Sequence, residues 1–349
     1  MFGMGGAKTI VGLDIGSSSI KAVELKKSRG EVELVHIGLE PLASDIVVDS
    51  MIVDSGSVSS AITKIFNENN IKSKAVATSV SGHSVIVKRI PMATMDDSEL
   101  AASISTEAAQ HIPFDIADVN VDYQILSEDS GPQMDVLLVA VKKDKILNYT
   151  NVLSLAGKSP AVVDIDAFAL QNCYEYNYEP SPSSTVALLN LGASVMNINI
   201  VKGTTPLFTR DVSVGGNQYT DSLQKELDLS FDDAESLKLG NKVGTVSEDA
   251  KAPILQQVTE IIVLEIQKTF DFFRATAAGE HIERIYLAGG SAKVPGLMEA
   301  LRQEFSLPVE MLNPFQRIQA ATGVATDLID RNAGQLAIAV GLALRSFEI

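Results

Sequence analysis

The chain opens with short apolar patterns of strand length. Residues 8–14 form a near-continuous apolar run, 20–26 a second, and 32–39 a third of alternating character. Val58, Ala61, Ile62, Ile65 and Phe66 then recur at the three- and four-residue spacing of an amphipathic helix. Residues 74–80 and 84–90 return to strand patterns. Three linked strands, a helix and a strand predict the opening of a mixed α/β domain. That order comes back later, with strand patterns at 186–191, 196–201 and 206–212, a helix at 217–227, and a strand at 284–288 after an intervening helical region. The two openings also align residue by residue: Asp14-Ile-Gly16-Ser17-Ser18 lies 176 positions before Asn190-Leu-Gly192-Ala193-Ser194. Each joins two strands by a tight turn of glycine and small residues, so the pattern predicts a duplication. Two similar halves place a ligand in the cleft between them.

Between the repeats, 96–111 reads as a helix with Asp96 or Asp97 at its N-cap. Leu100, Ile104, Ala108 and Ile112 lie along one face of it, and Pro113 ends it. Strands at 119–126 and 135–141 flank a Ser-Gly-Pro turn, and 145–155 reads as another helix. In the second half, 231–239 and 254–273 are helical and 240–253 is a polar loop. Residues 181–184, beside Pro180 and including Pro182, read as the hinge between halves. A chain of 349 residues, 46% hydrophobic and 21% charged, is long enough for two domains or one large α/β body. The net charge of −16 argues against general nucleic-acid binding, which needs a basic face. One cysteine, Cys173, makes no internal bridge and suits a reducing compartment, and with four histidines it offers little to zinc. The longest apolar stretch, 336–344, is about half of the ~20 residues a spanning helix needs. The glycine-rich start at 1–7 is too short for a signal peptide. The expectation is a cytoplasmic protein that something else tethers if it works at a membrane.

Candidate chemistry is concentrated in Asp14-Ile-Gly-Ser-Ser-Ser-Ile-Lys21. Gly16 lets the turn close, Ser17 and Ser18 offer donors, Asp14 can hold a magnesium ion through water, and Lys21 can neutralise phosphate oxygens. A hairpin turn with a surface lysine explains the same residues equally well. Three weaker features add to it. Gly215-Gly216-Asn217 precedes a helix and can turn its N–H groups to phosphate, or serve as an entry turn. Glu235 and Lys238 share a helix face, able to hold one ribose or simply to form a solvated ion pair. Leu287-Ala-Gly289-Gly290-Ser291 ends a strand and can let an adenine lie on bare backbone, or be a plain strand-to-helix turn. Other signals fail on their own terms. Residues 3–9 mimic a P-loop but Ala7 replaces its glycine, Gly82-His83-Ser84 lacks the closing glycine of a nucleophile elbow, and His36, His83, His111 and His281 share no ligand spacing.

Taken in order, these features resemble the actin-like nucleotide-binding superfamily of actin, Hsp70, sugar kinases, MreB and FtsA. The resemblance covers nearly the whole chain. Its two phosphate loops match 14–21 and 190–194, its connecting helices match 166–171 and 334–345, and its adenosine loop matches 289–291. Within the superfamily the chain looks most like the PilM family of type IV pilus assembly proteins. Three stretches carry that likeness: Glu107-Ala-Ala-Gln-His-Ile-Pro-Phe114, Thr209-Arg-Asp-Val-Ser-Val-Gly-Gly-Asn-Gln-Tyr-Thr220 and Ala234-Glu-Ser-Leu-Lys238. The fold so implied is a duplicated RNase H-like, actin-type α/β fold with a nucleotide cleft between two lobes. Subdomain 1A would span 1–94, completed by 165–182 and 334–349. An FtsA-like inserted subdomain 1C would span 95–164, subdomain 2A would take 183–217 and 268–333, and subdomain 2B would take 218–267.

The resemblance also implies roles. Asp14 would face the metal, and Ser17, Ser18 and Lys21 would hold ATP phosphates. Asn190 and Gly192 would form the second phosphate loop, with Gly215 and Gly216 approaching the phosphates or ribose. Glu235 and Lys238 would hold ribose hydroxyls, and Gly289, Gly290, Ser291 and Lys293 would line the adenine. Asp166 falls where hydrolysing relatives orient the attacking water. The second phosphate loop of active relatives usually begins with aspartate. Asn190 hydrogen-bonds a metal-bound water without bringing charge, so weaker Mg2+ organisation and slow or absent hydrolysis are expected. By the same resemblance the partner is the N-terminal cytoplasmic segment of PilN, in a groove with Leu100, Ile104, Ile112 and Phe114 as candidate lining residues that can equally be core. Pilus motor ATPases or the platform protein are further candidate partners, and the protein would sit peripherally at the inner membrane. An FtsA-like polymerising division protein is the alternative, though 344–349 carries no basic amphipathic tail. A small-molecule kinase is another, weakened by Asn190.

Overall fold

The computed structural model describes residues 9–28, 30–127, 132–277 and 279–347. The glycine-rich start, most of the P-loop-like stretch and the serine and glycine of the Ser-Gly-Pro turn lie outside the described residues. The first half runs β1 (Val11–Ile15), β2 (Ser19–Ser28), β3 (Glu31–Pro41), a short ribbon of β4 (Val47–Val48) and β5 (Met51–Ile52), α1 (Ser55–Glu68) and β6 (Ala75–Val80). An insertion follows with β7 (Val85–Ala93), α2 (Asp97–His111), β8 (Val119–Ser127) and β9 (Gln133–Lys142). The first half then closes with α3 (Lys143–Leu155), β10 (Ser159–Ile165) and α4 (Asp166–Tyr178). The second half holds β11 (Thr185–Leu191), β12 (Met196–Lys202), β13 (Thr205–Val212), α5 (Asn217–Leu227), α6 (Phe231–Lys238) and α7 (Glu248–Thr276). It ends with β14 (Arg284–Ala288), α8 (Leu297–Phe305), β15 (Val309–Met311), β16 (Gln319–Ala320), α9 (Thr326–Asn332) and α10 (Ala337–Leu344).

The duplication is real and goes down to single hydrogen bonds. One sheet has the order β10-β6-β1-β2-β3-β16, the other β15-β14-β11-β12-β13. In each, the first strand pairs antiparallel with the second and parallel with the strand after the helices. The turns close alike: Gly16 N–H donates to Ser19 O at 3.1 Å, and Gly192 N–H to Val195 O at 3.0 Å. β16 departs from the repeat by crossing over to pair with β3 of the first sheet.

Sheets and helices stack in alternating layers, because each sheet is apolar on both faces. α1 and α3 cover one face of the first sheet, with Val58, Ile62, Phe66, Tyr149 and Val152 packed on Val11, Leu13 and Ala22. α4 and α10 fill the space between the two sheets in one continuous core. α5 to α8 cover the far face of the second sheet. The middle layer is tight: a Cβ on Gly341 of α10 would collide with the Ala169 carbonyl of α4, and one on Gly12 of β1 with the Ala339 carbonyl. Small residues there let two helices and a strand approach at backbone distance.

Local chemistry explains most element ends. Asp54 caps α1 by accepting the Ser57 N–H at 3.0 Å, and Asp96 and Glu99 form a capping box on α2. Two expectations shift. Residues 240–253 are a loop only as far as Ser247, which caps α7 through the Ala250 N–H. Pro253 therefore lies inside α7, where buried Ile254, Leu255 and Val258 hold the helix against the second lobe. Strand β7, expected beside the opening strands, pairs instead with β9 in a separate three-stranded sheet of order β7-β9-β8. α3 in turn packs on the first lobe and shares a core with the face of that sheet turned toward it, through Val141 and Val139 of β9.

Candidate functional site

A cleft of about 630 Å³ separates the lobes. Both repeated turns reach it, because each lies at the carboxyl end of a central strand of its sheet. From the first lobe come Asp14, Gly16, Ser17, Ser18 and Lys21, and from the second Asn190, Gly192, Glu235, Lys238, Gly289, Gly290 and Ser291. Residues far apart in sequence thus share one cavity. Asp14 and Lys21 stand opposite each other on β1 and β2 and form an ion pair at 3.1 Å. The two turns touch across the cleft, Ser194 Oγ donating to Ser17 Oγ at 2.8 Å.

The other wall is built by close approach. A Cβ on Gly289 would collide with the Leu191 carbonyl, and behind the lining one on Gly216 would collide with Ser291 Oγ. Gly289 also has φ +90°, a backbone conformation that suits glycine. Lys238 is buried, with Nζ 3.1 Å from Thr220 Oγ1 and hydrogen-bonded to Glu235. Thr220 also donates to Glu235, so the Glu235–Lys238 pair is a fixed polar group on the cleft wall rather than a solvated surface pair.

Asp166 begins α4 at the cleft floor, and Ser79 Oγ donates to it at 2.6 Å. Burial, reinforced by the Asp14 charge, pushes its carboxyl up to about 6. Asp211 is likewise raised, by burial. Lys145 lies beneath the same floor, 1% exposed and donating to the Ser50 carbonyl, and burial draws its ammonium down to about 8. The charges of Asp14 and Asp211 both disfavour ionisation of Asp166, and Lys145 lies on the first-lobe side of that floor.

Three expected residues stand apart from the cleft lining. Gly215 and Gly216 pack against the second turn, Gly216 N–H donating to Gly192 O at 3.0 Å. Lys293 donates to the Arg331 carbonyl instead. The groove candidates are also relocated. Leu100, Ile104 and Ile112 are buried where α2 covers one face of the inserted sheet, against Val136, Leu138 and Ala140, and Phe114 is half-buried beside them under the Lys142 ammonium. Side chains alternate across a strand, so the other face of β9 is free of α2. There Leu137 and Val139, with Val163 and Phe168 of the first lobe, line a groove of about 900 Å³. The groove runs between β8 and β10, the edge strands of their sheets. Asn197 and Gln335 are cleft residues that the motifs did not mark. Asn197 was within reach: it stands in the repeat where Lys21 stands in the first half.

Among the described residues no three acidic, histidine or cysteine side chains cluster as a metal site, and no helix is long and apolar enough to cross a membrane. The duplicated lobes, the facing turns and the cleft define an actin-like ATPase fold. MreB5 of Spiroplasma citri bound to AMPPNP shares it at a TM-score of 0.54 and 13% identity, covering 96% of this chain and 95% of that one. The profile of the family described as Type IV pilus assembly protein PilM matches residues 12–347, and the chain belongs to that family. The structure of a PilM-PilN type IV pilus biogenesis complex superposes with a TM-score of 0.88 at 24% identity, over 98% of this chain and 100% of that one. In sequence, the cell division protein FtsA of Streptococcus pneumoniae is 24% identical over 87% of this chain and 75% of its own length.

Proposed function

We propose that the protein is a nucleotide-binding scaffold of the type IV pilus machine, holding ATP in the interlobe cleft and a PilN-type N-terminal peptide in the groove beside the inserted sheet. The observation that carries the first half is the meeting of both phosphate-type turns, the Glu235–Lys238 pair and the bare backbone of 289–291 in one cavity. Ser17, Ser18 and Lys21 would hold phosphates, Glu235 and Lys238 the ribose, and Gly289 to Ser291 the base. Asp14 and Asn190 occupy equivalent strand ends, so their oxygens suit a hydrated Mg2+ that the nucleotide phosphates bring with them. The ion would offset phosphate charge. With an amide at 190 in place of a charged carboxylate, this chain favours holding nucleotide over turning it over.

Support for the peptide half comes from the groove and from the structural likeness to a PilM-PilN complex. Edge strands offer unpaired backbone groups to an extended segment, and Leu137, Val139 and Phe168 offer an apolar floor. Asp122, Asp164 and Glu175 outnumber Arg345 around it, which favours a basic peptide with apolar anchors. Binding to a membrane protein's cytoplasmic tail would hold the scaffold at the inner membrane. The test is calorimetric titration of the full chain with a PilN-type N-terminal peptide, with and without Mg-ATP. Micromolar or tighter binding is expected, and the ATP-dependent difference measures the coupling between the two sites. No binding in either state would overturn the adaptor reading and favour an FtsA-like polymerising role.

A further inference from the structure

Three side chains form a ladder across the second sheet. Asn190 on β11 stands directly opposite Asn197 on β12, which stands opposite Asp211 on β13. Asn190 Nδ2 donates to Asn197 Oδ1 at 2.8 Å, and Asn197 Nδ2 donates to Asp211 Oδ1 at 2.8 Å. The other carboxylate oxygen of Asp211 accepts the Gly82 N–H of the first lobe at 2.6 Å. The ladder therefore runs from the cleft to a contact between the lobes.

Its direction follows from chemistry alone. A backbone N–H only donates and a carboxylate only accepts. Asn197 must then turn its amide nitrogen to Asp211 and its oxygen to Asn190, and Asn190 must turn its nitrogen to Asn197. What remains is Asn190 Oδ1, which points toward Gly289 on the cleft wall. In the first half the equivalent positions hold the Asp14–Lys21 ion pair, where charge does this orienting.

We infer that Asp211 is a positioning residue for the cleft: through Asn197 it locks Asn190 with its oxygen toward the ligand, so the second turn accepts hydrogen bonds from a hydrated cation and does not donate to phosphate. This rests on the nucleotide-binding reading, since the cation enters with the nucleotide. Asp211→Asn reverses the ladder without breaking it. The new amide oxygen still takes the Gly82 N–H, its nitrogen faces Asn197, and both asparagines flip to present a donor to the cleft. Asn190→Asp alone sets two carboxylates competing for one amide nitrogen. The double variant satisfies every bond again, with a carboxylate oxygen toward the ligand.

The experiment has two readouts on the full chain. Thermal unfolding without nucleotide should show Asn190→Asp destabilised and the double variant restored, a coupling that needs no metal. Calorimetric titration with ATP, with and without Mg2+, should show the Mg2+ gain in affinity falling by about tenfold in Asp211→Asn, the loss of about one hydrogen bond to an ion's water. In the double variant that gain should exceed the wild-type value. Equal melting points for Asn190→Asp and the double variant, or an unchanged Mg2+ gain in Asp211→Asn, would overturn the inference. If the wild-type chain binds no nucleotide at all, the functional reading fails, while the melting points still decide the ladder.

Discussion

Replacing Asp166 by asparagine should stabilise the protein, and the size of the effect follows from the cleft floor. Its carboxyl titrates at about 6 because burial and the Asp14 charge disfavour the ionised form. An aspartate in the unfolded chain titrates near 3.9. Between about pH 4 and pH 6 the folded state therefore holds a proton that the unfolded state has lost. Stability falls as pH rises through that window and levels off above it. Two units at about 1.4 kcal/mol each give roughly 3 kcal/mol, reduced to about 1–3 kcal/mol because the carboxyl lines the open interlobe cleft. Asp166→Asn keeps an oxygen to accept from Ser79 and removes the charge. Urea unfolding of both proteins from pH 4 to pH 8 should give curves that nearly meet at pH 4 and separate by that amount at pH 7, the variant being the more stable. Parallel curves, or a variant less stable at pH 7, would refute the placement of this carboxyl. A residue that lowers stability at neutral pH is what a ligand site retains for its chemistry.

Other perturbations separate packing from binding. Gly341→Val forces a side chain into the Ala169 carbonyl, and a thermal melt should show a loss of about 3 kcal/mol or more, with both lobes unfolding together. Leu100→Ala, in the core under α2, should cost about 2–5 kcal/mol in chemical denaturation. Phe168→Ala, on the groove floor, should weaken PilN-type peptide binding by about tenfold, the worth of a buried aromatic contact, while ATP affinity holds in the same titration. Asp122→Lys, exposed on the edge strand β8, should slow association of a basic peptide and flatten its salt dependence in stopped-flow measurements.

How much of this was legible in the sequence depended on the range of the contacts involved. The duplication was legible because Gly16 and Gly192 impose the same turn on the strands that flank them. The residues of the two turns followed from it, whereas Glu235, Lys238 and 289–291 came from separate local motifs. Sheet membership was not legible: 84–90 reads as a strand, but nothing local says that it pairs with β9 rather than with the opening strands. The apolar stripe of α2 was visible, and such a stripe is what any helix needs to cover a sheet. It therefore marked the core at Leu100 and Ile104 and left the groove on the opposite face unseen. Pro253 read as a boundary because its local cost was visible and the packing of Ile254 and Val258 was not. The Asn190–Asn197–Asp211 ladder depends on strand register across three strands, which only the folded sheet supplies.

The central claim, that the cleft holds nucleotide, is tested most directly by calorimetric titration of the full chain with Mg-ATP beside Lys238→Met. This substitution keeps the length of a buried side chain and removes the ammonium on the cleft wall. The account expects micromolar or tighter binding by the wild-type chain and affinity lower by about tenfold or more in the variant, the loss of a charge-assisted hydrogen bond. Binding absent from the wild-type chain, or equal in the two proteins, would contradict it.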